Sequence, residues 1–368
     1  MKQKARVALL EKANEPLAIR EFSIPELKEG CVLVKTVASG VCGTDVHCWR
    51  GQVKMPLPVI LGHESVGVIE KLGPGRTQDS MGEPVAEGDR IFWVAGHPCN
   101  KCYGCVILKD TTACSSRKSY GTSFSCSDYP YLVGGYSEYV FLTEKSFFFK
   151  VPKSVPTEAA ISFGCGFPTA VKGFEMIGGV GPGKSVLIQG AGPVGLSCVV
   201  IAKLWGAYPI TVIGAPQSRL DMARRLGADQ TIDITELERP EDRVKKAKEV
   251  AGEVDLCIEA TGLPTAAAEG VELVRVNGRY LLLGVFSDLG PAPINPSIII
   301  RRNQKIYGSV FWEPRHLHEV LRLLSIYNDR LKLEDAVTAR YSLDDSTQAL
   351  HDVEALKCVK AIITPHAA

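Results

Sequence analysis

A chain of 368 residues is longer than one domain usually runs, so two domains, each with its own core, are the starting expectation. Lysine and arginine number 42 against 41 aspartates and glutamates, a formal charge of +1, which leaves no basic field to mark nucleic acid or a membrane surface as partner. Without a basic-then-apolar leader or an apolar run of bilayer length, a cytoplasmic protein is expected, its twelve cysteines reduced and available as metal ligands or core hydrophobes.

Short β-branched runs bounded by glycine, proline or charge dominate the chain up to about residue 155, as at Arg6-Val7-Ala8-Leu9-Leu10 and from Val32 to Val37. No helix of useful length is expected there. The second run enters Ser39-Gly40-Val41-Cys42-Gly43, whose glycines permit a tight turn that presents Cys42 at a strand end. Thr44, Asp45 and His47 follow on the same short segment. The apolar run Leu57-Pro58-Val59-Ile60-Leu61 then leads into Gly62-His63-Glu64, with strands expected from Val66 to Leu72 and from Gly88 to Val94.

Cys99, Cys102 and Cys105 stand at intervals of three with Cys114 close by, and four thiolates so spaced can enclose one tetrahedral Zn²⁺ with no open position. The loop holds little apolar material, so ligation would supply its folding energy. After a polar, turn-rich stretch the strand Gly134 to Leu142 is expected, then a helix start at Pro156-Thr157-Glu158 with Thr157 as its cap. Cys165 lies just beyond, in Gly164-Cys165-Gly166-Phe167.

Cys42, His63 and Cys165 together offer two thiolates and an imidazole, the three protein ligands of an open zinc site whose fourth position is left for water or substrate. Such a centre has no net charge on its donors plus ion and still polarises an alcohol oxygen. Thr44 can take the alcohol proton and pass it, through a nicotinamide ribose, to the imidazole of His47. Asp45 can orient a ligating histidine, and Glu64 can stand behind the ligands or bind the metal transiently.

Alternating strands and helices begin near residue 184. The strand Lys184 to Gln189 runs into Gly190-Ala191-Gly192-Pro193-Val194-Gly195 and a helix to Leu204, the strand–glycine turn–helix order that seats a pyrophosphate on helix N–H groups. The next strand, Pro209 to Ile213, ends at Gly214, where an NAD-binding fold commonly has an acid on the ribose. With that acid absent and Ser218 and Arg219 close by to meet a 2′-phosphate, NADP is favoured and NAD is the alternative. Helices from Ser218 to Leu226, Arg239 to Ala251 and Pro264 to Val274 alternate with strands Asp229 to Asp233, Val254 to Ile258 and Arg279 to Gly284, giving a doubly wound parallel sheet. Thr261, Gly262 and Gly284-Val285-Phe286 fall at strand ends, where such sheets bind ligands. Helices from His316 to Tyr327 and Ser346 to Leu356 and a strand from Cys358 to Ile363 close the chain.

Five features in this order, Cys42 with Thr44 and His47, Gly62-His63-Glu64, the four-cysteine lobe, Gly164-Cys165-Gly166 and the glycine turn at 190–195, give the chain a resemblance to the zinc-dependent alcohol dehydrogenases of the medium-chain dehydrogenase/reductase superfamily. The resemblance implies an α/β protein: a GroES-like, β-rich catalytic domain over 1–166 with a structural-zinc lobe at about 97–116, a Rossmann domain over 167–310, and a return to the catalytic domain over 311–368. It implies two zinc ions per chain, one catalytic on Cys42, His63 and Cys165 with Glu64 nearby, and one structural. It also implies proton relay through Thr44 and His47, a pyrophosphate contact from Lys360, and a homodimer or homotetramer. Gly43 stands where classical members carry a basic residue, as in the polyol and threonine dehydrogenases, whereas Cys165 as third ligand is similar to the alcohol branch. The gap from Cys105 to Cys114 is one residue longer than usual.

The expected activity is reversible hydride transfer between NAD(P) and a small-molecule alcohol or carbonyl compound. One alternative is a polyol or amino-alcohol dehydrogenase with Trp49 and Phe92 or Trp93 in its pocket. The other is a zinc-stabilised dinucleotide-binding protein without catalysis.

Overall fold

A computed structural model describes residues 4–284 and 289–366. The chain divides into two compact units, residues 1–164 with 313–368, and residues 165–312. Among the described residues no helix is long and apolar enough to cross a membrane.

A seven-stranded sheet organises the first unit. Its strands run in the order Phe148–Lys150, Arg90–Trp93, Ser65–Leu72, Val32–Val41, Lys360–Ile363, Val337–Tyr341, and Tyr139–Leu142 also pairs with Val32–Val41. Only Lys35 and Thr36's neighbour Val37 break the run of buried positions along Val32–Val41, so this strand is central and packed on both faces. Its far end matters most. Ser39 pairs with Ser65 on one side and Ala361 with Val41 on the other, which brings Cys42, Glu64 and Lys360 to one sheet end although the last two are 296 residues apart.

Two short helices lie where the sequence leads one to expect none. Gly43–Trp49 is seven residues long, with Asp45 in its first turn accepting from the backbone of Cys42. Tyr103–Val106 is a single turn inside the four-cysteine lobe. The helix expected after Pro156 is present as Thr157–Ile161, but Pro156 is its cap, and the Thr157 hydroxyl instead accepts from Arg90 at 2.9 Å.

Six parallel strands form the sheet of the second unit, in the order Gln230–Asp233, Ile210–Gly214, Val186–Gln189, Val254–Glu259, Val274–Leu282, Lys305–Gly308. Taken in chain order this is 3-2-1-4-5-6, the doubly wound arrangement that opens a crevice beside the first strand, at its carboxyl end. The near-continuous burial of Val186–Gln189 and Ile210–Gly214 follows from helices covering both faces.

Candidate active site

Cys42 leaves the central strand and caps Gly43–Trp49, so its thiol stands at the sheet end. Asp45, with no exposed surface, ties the surroundings together: Oδ2 accepts from the Cys42 amide at 2.9 Å, and Oδ1 accepts from the Gly62 amide at 3.3 Å and faces His63 Nδ1 at 3.1 Å. A proton on His63 Nδ1 directed at Asp45 leaves the Nε2 lone pair free for a metal. Burial pushes the His63 pKa down, yet the charge and hydrogen bond of Asp45, aided by Cys42, outweigh it and the net shift is well upward. A metal entering this set therefore displaces a proton.

Cys165 is the first residue of the second unit and hangs by one peptide bond from Gly164. The donor atoms of Cys42, His63, Glu64 and Cys165 all lie within 4.8 Å of one another. Two sulfurs and an imidazole suit Zn²⁺ far better than the oxygen-seeking Mg²⁺ or Ca²⁺, so the residues present fit a zinc ion. Gly164 has φ +45°, and a Cβ there would sit 2.1 Å from the Glu64 carboxylate; a Cβ on Gly40 would come within 2.5 Å of Glu64 Oε2. Glycine at both positions is what lets this carboxylate approach the thiols.

Glu64 is not isolated. Lys360 Nζ pairs with its Oε2 and donates to the Val41 carbonyl at 3.2 Å, both side chains being almost fully buried. Lys360, expected at a pyrophosphate, is thus placed at the sheet end with its ammonium on Glu64 and the Val41 carbonyl. Trp49 is likewise not a pocket residue. It is 2% exposed, its indole donates to the Glu15 carbonyl at 2.7 Å, and its ring packs edge-on against His351. Phe92 and Trp93 are fully buried in their strand.

Thr44 and His47 share the helix that starts at Cys42, both partly exposed. His47 Nδ1 lies 2.5 Å from Gln52 Oε1, and the Gln52 amide donates to the His47 carbonyl at 2.9 Å. The Gln52 carboxamide oxygen only accepts, so it selects the tautomer with a proton on Nδ1 and a free Nε2. Gln52 carries no sequence signal; it is placed by the turn that ends the helix.

In the lobe, the sulfurs of Cys99, Cys102, Cys105 and Cys114 also lie within 4.8 Å of one another. Backbone donors at Cys105 and Ser115 lower the Cys102 thiol toward the thiolate form. Gly104 passes so close to Ala113 that a Cβ would fall 2.3 Å from its carbonyl oxygen, and Glu313 anchors the lobe by accepting from the Thr111 amide and hydroxyl at 3.2 Å. Tyr103, Val106, Ile107 and Leu108 are all more than half exposed, so this segment has little core of its own.

The glycine turn has the close contacts a dinucleotide site needs. Gly190 takes φ +106°, Gly192 caps the helix Pro193–Leu204, and a Cβ on Gly195 would lie 1.9 Å from the Gly190 carbonyl oxygen. Pro193, which has no N–H, and Val194 open the first helical turn, whose N–H groups have no partner within the helix. Gly214 ends its strand with a Cβ position 3.0 Å from the Ala191 amide. In the helix Gln217–Leu226, Ser218 is exposed, whereas Arg219 is 8% exposed with Nη1 4.0 Å from where a Gly192 Cβ would be.

Glu259 was not singled out by sequence. Fully buried at a strand end, it accepts from the Thr261 amide and hydroxyl at 2.6 Å, from Gly262 at 2.8 Å, and from the Gly284 amide at 3.1 Å. It thereby fixes the two loops that carry Thr261 and Gly284. Val285 and Phe286 lie outside the described residues.

Residues 28–153 match the family model of the alcohol dehydrogenase GroES-like domain, and residues 193–325 match that of the zinc-binding dehydrogenases. The 5-exo-hydroxycamphor dehydrogenase of Pseudomonas putida is 37% identical over 98% of this chain and 99% of its own. The L-threonine 3-dehydrogenase of Pyrococcus horikoshii is 30% identical over 98% and 99%. The crystal structure of an alcohol dehydrogenase from Thermotoga maritima superposes with a TM-score of 0.92 at 34% identity, covering 99% of this chain and 100% of that one.

Proposed function

The chain belongs to the zinc-binding dehydrogenases with an alcohol dehydrogenase GroES-like domain, and from that premise we propose that it transfers hydride reversibly between a nicotinamide dinucleotide and an alcohol, returning the aldehyde or ketone. The observation that carries the reading is the convergence of Cys42, His63, Glu64 and Cys165 donor atoms within 4.8 Å. A zinc ion held by Cys42, His63 and Cys165 would supply the Lewis acid that makes the alcohol acidic, and the nicotinamide ring would supply the hydride acceptor. The chain's own part is to place and move the proton. Asp45 keeps His63 in the ligating tautomer, the Thr44 hydroxyl takes the substrate proton, and His47, held through Nδ1 by Gln52, receives it at Nε2. The lobe cysteines would hold a second, purely structural zinc, so two zinc ions per chain are expected; a single ion, on the lobe, would favour the non-catalytic dinucleotide binder instead.

NADP is the proposed coenzyme, on the strength of Gly214 at the strand end and Arg219 reaching the glycine turn. Arg219→Ala is expected to weaken NADP about 10–100-fold, the worth of a charged hydrogen bond, while NAD changes little. Equal losses for both, measured by fluorescence titration, would remove the NADP assignment. Gly43 and the threonine dehydrogenase relative support a second reading, an amino-alcohol or polyol substrate. A panel of simple, cyclic, polyhydroxylated and amino alcohols, assayed with NADP and NAD in parallel, decides between the two.

A homodimer is proposed through the outer strand Lys305–Gly308. Among the described residues its far edge is unpaired in the sheet, and the neighbouring helix Pro296–Arg301 buries no residue, with Ile300 78% exposed. Light scattering should give twice the chain mass, and Ile306→Lys should lower it; a monomeric parent would contradict this.

A further inference from the structure

Glu259 is the last residue of the strand Val254–Glu259 and has no exposed surface. A carboxyl buried so completely is unfavourable unless its oxygens are satisfied, and here both are, by donors on the loops that follow two neighbouring strands. Oε1 accepts from the Thr261 amide and hydroxyl at 2.6 Å and from the Gly262 amide at 2.8 Å, and Oε2 accepts from the Gly284 amide at 3.1 Å. The loops have no slack around it. A Cβ on Gly284 would lie 2.5 Å from the Gly262 nitrogen, one on Gly262 2.8 Å from the Gly284 carbonyl oxygen, and one on Gly190 2.8 Å from the Ala260 carbonyl oxygen. The glycine turn and both loops thus form one packed rim at the carboxyl ends of three adjacent strands, Val186–Gln189, Val254–Glu259 and Val274–Leu282. Glu259 is the side chain that ties the last two loops of that rim together.

A doubly wound sheet binds one mononucleotide on each of its halves. Gly214 and the helix that carries Arg219 belong to the half built on the first strand and Ile210–Gly214, the adenosine side; Thr261 and Gly284 belong to the other half. We infer that Glu259 is a positioning residue for the nicotinamide half of the dinucleotide: buried behind the rim, it holds the Thr261 and Gly284 loops in the shape that receives that half. The inference rests on the dinucleotide reading proposed above.

Glu259→Gln in the full chain tests it. A carboxamide has one accepting oxygen in place of two, so whichever way it turns, an N–H of one loop faces its NH₂ group and that loop is released. Calorimetric titration compares NADP with 2′,5′-ADP, which carries the adenosine side alone, or NAD with 5′-AMP where the parent prefers NAD. The dinucleotide should bind about 10–100-fold more weakly, the worth of a strong buried hydrogen bond, while the fragment changes by less than about twofold. Equal losses for both are what a merely structural residue would give, and they overturn the inference, as does unchanged dinucleotide affinity. Thr261→Val takes away the hydroxyl that Glu259 holds, on an exposed residue, and leaves the amide bonds; it should weaken the dinucleotide about 3–10-fold with the same selectivity. If Glu259→Gln does not fold, Thr261→Val decides alone by the same criterion. A parent that binds neither dinucleotide nor fragment fails the dinucleotide reading itself, whereas a parent that binds both, with variants that show no split, fails only the role of Glu259.

Discussion

Cys42→Ser is expected to lower kcat/KM by about 10³–10⁵-fold, because metal activation of an oxygen is worth several kcal/mol and each 1.4 kcal/mol is a factor of ten. Serine fits the space but stays protonated at neutral pH and is a poor zinc ligand. The substitution leaves the hydrogen bond from the residue 42 amide to Asp45 in place, so the helix Gly43–Trp49 and the position of Thr44 should survive. Dinucleotide affinity should change by less than about threefold, since the glycine turn belongs to the second unit. Steady-state kinetics and dinucleotide titration on one preparation check both halves. Activity near that of the parent would contradict the role given to Cys42.

Lys360→Met is expected to destabilise the first unit by about 3–5 kcal/mol, the usual cost of removing one partner of a buried ion pair. The reason is local. Glu64 and Lys360 are each about 2% exposed, and Gly40 and Gly164 close on the carboxylate so tightly that neither tolerates a Cβ. A Glu64 left charged there lacks its buried counter-charge, and one that takes up a proton is a different group beside the thiols. Adding Glu64→Gln to Lys360→Met should recover most of the loss, because no uncompensated charge then remains. Urea unfolding followed by tryptophan fluorescence measures it, Trp49 and Trp93 both lying in the first unit. A single substitution that costs less than about 1 kcal/mol would show the pair to be solvated in solution.

The features legible in sequence are those whose chemistry is carried by spacing. Gly190-Ala191-Gly192-Pro193-Val194-Gly195 could be read because only glycine tolerates a positive φ at 190 and a carbonyl 1.9 Å from the Cβ position at 195. The lobe could be read because its four cysteines fall within sixteen residues. Pairings over long separations could not. The pairing of Lys360 with Glu64 had no local signal, because nothing in the nearby sequence shows that the closing strand runs antiparallel to Val32–Val41 and delivers the ammonium there. Trp49 looked like a pocket residue until the helix beneath Gly43 turned it onto His351. That helix escaped notice because its residues, with glycine first and β-branched Thr44 and Val46 inside, have weak helical preference; the Asp45 bond to Cys42 holds its first turn. Gln52 and Glu259 are ordinary residues in sequence and matter only through what the fold sets beside them.

The central claim is that Cys42, His63 and Cys165 bind one zinc ion. Anomalous diffraction from crystals of the full chain at the zinc absorption edge tests it most directly. The account predicts a peak about 2.3 Å from the sulfurs of Cys42 and Cys165 and about 2.0–2.1 Å from His63 Nε2, in addition to a peak among the four lobe cysteines. A map with the lobe peak alone, from protein that turns over alcohol, would contradict it.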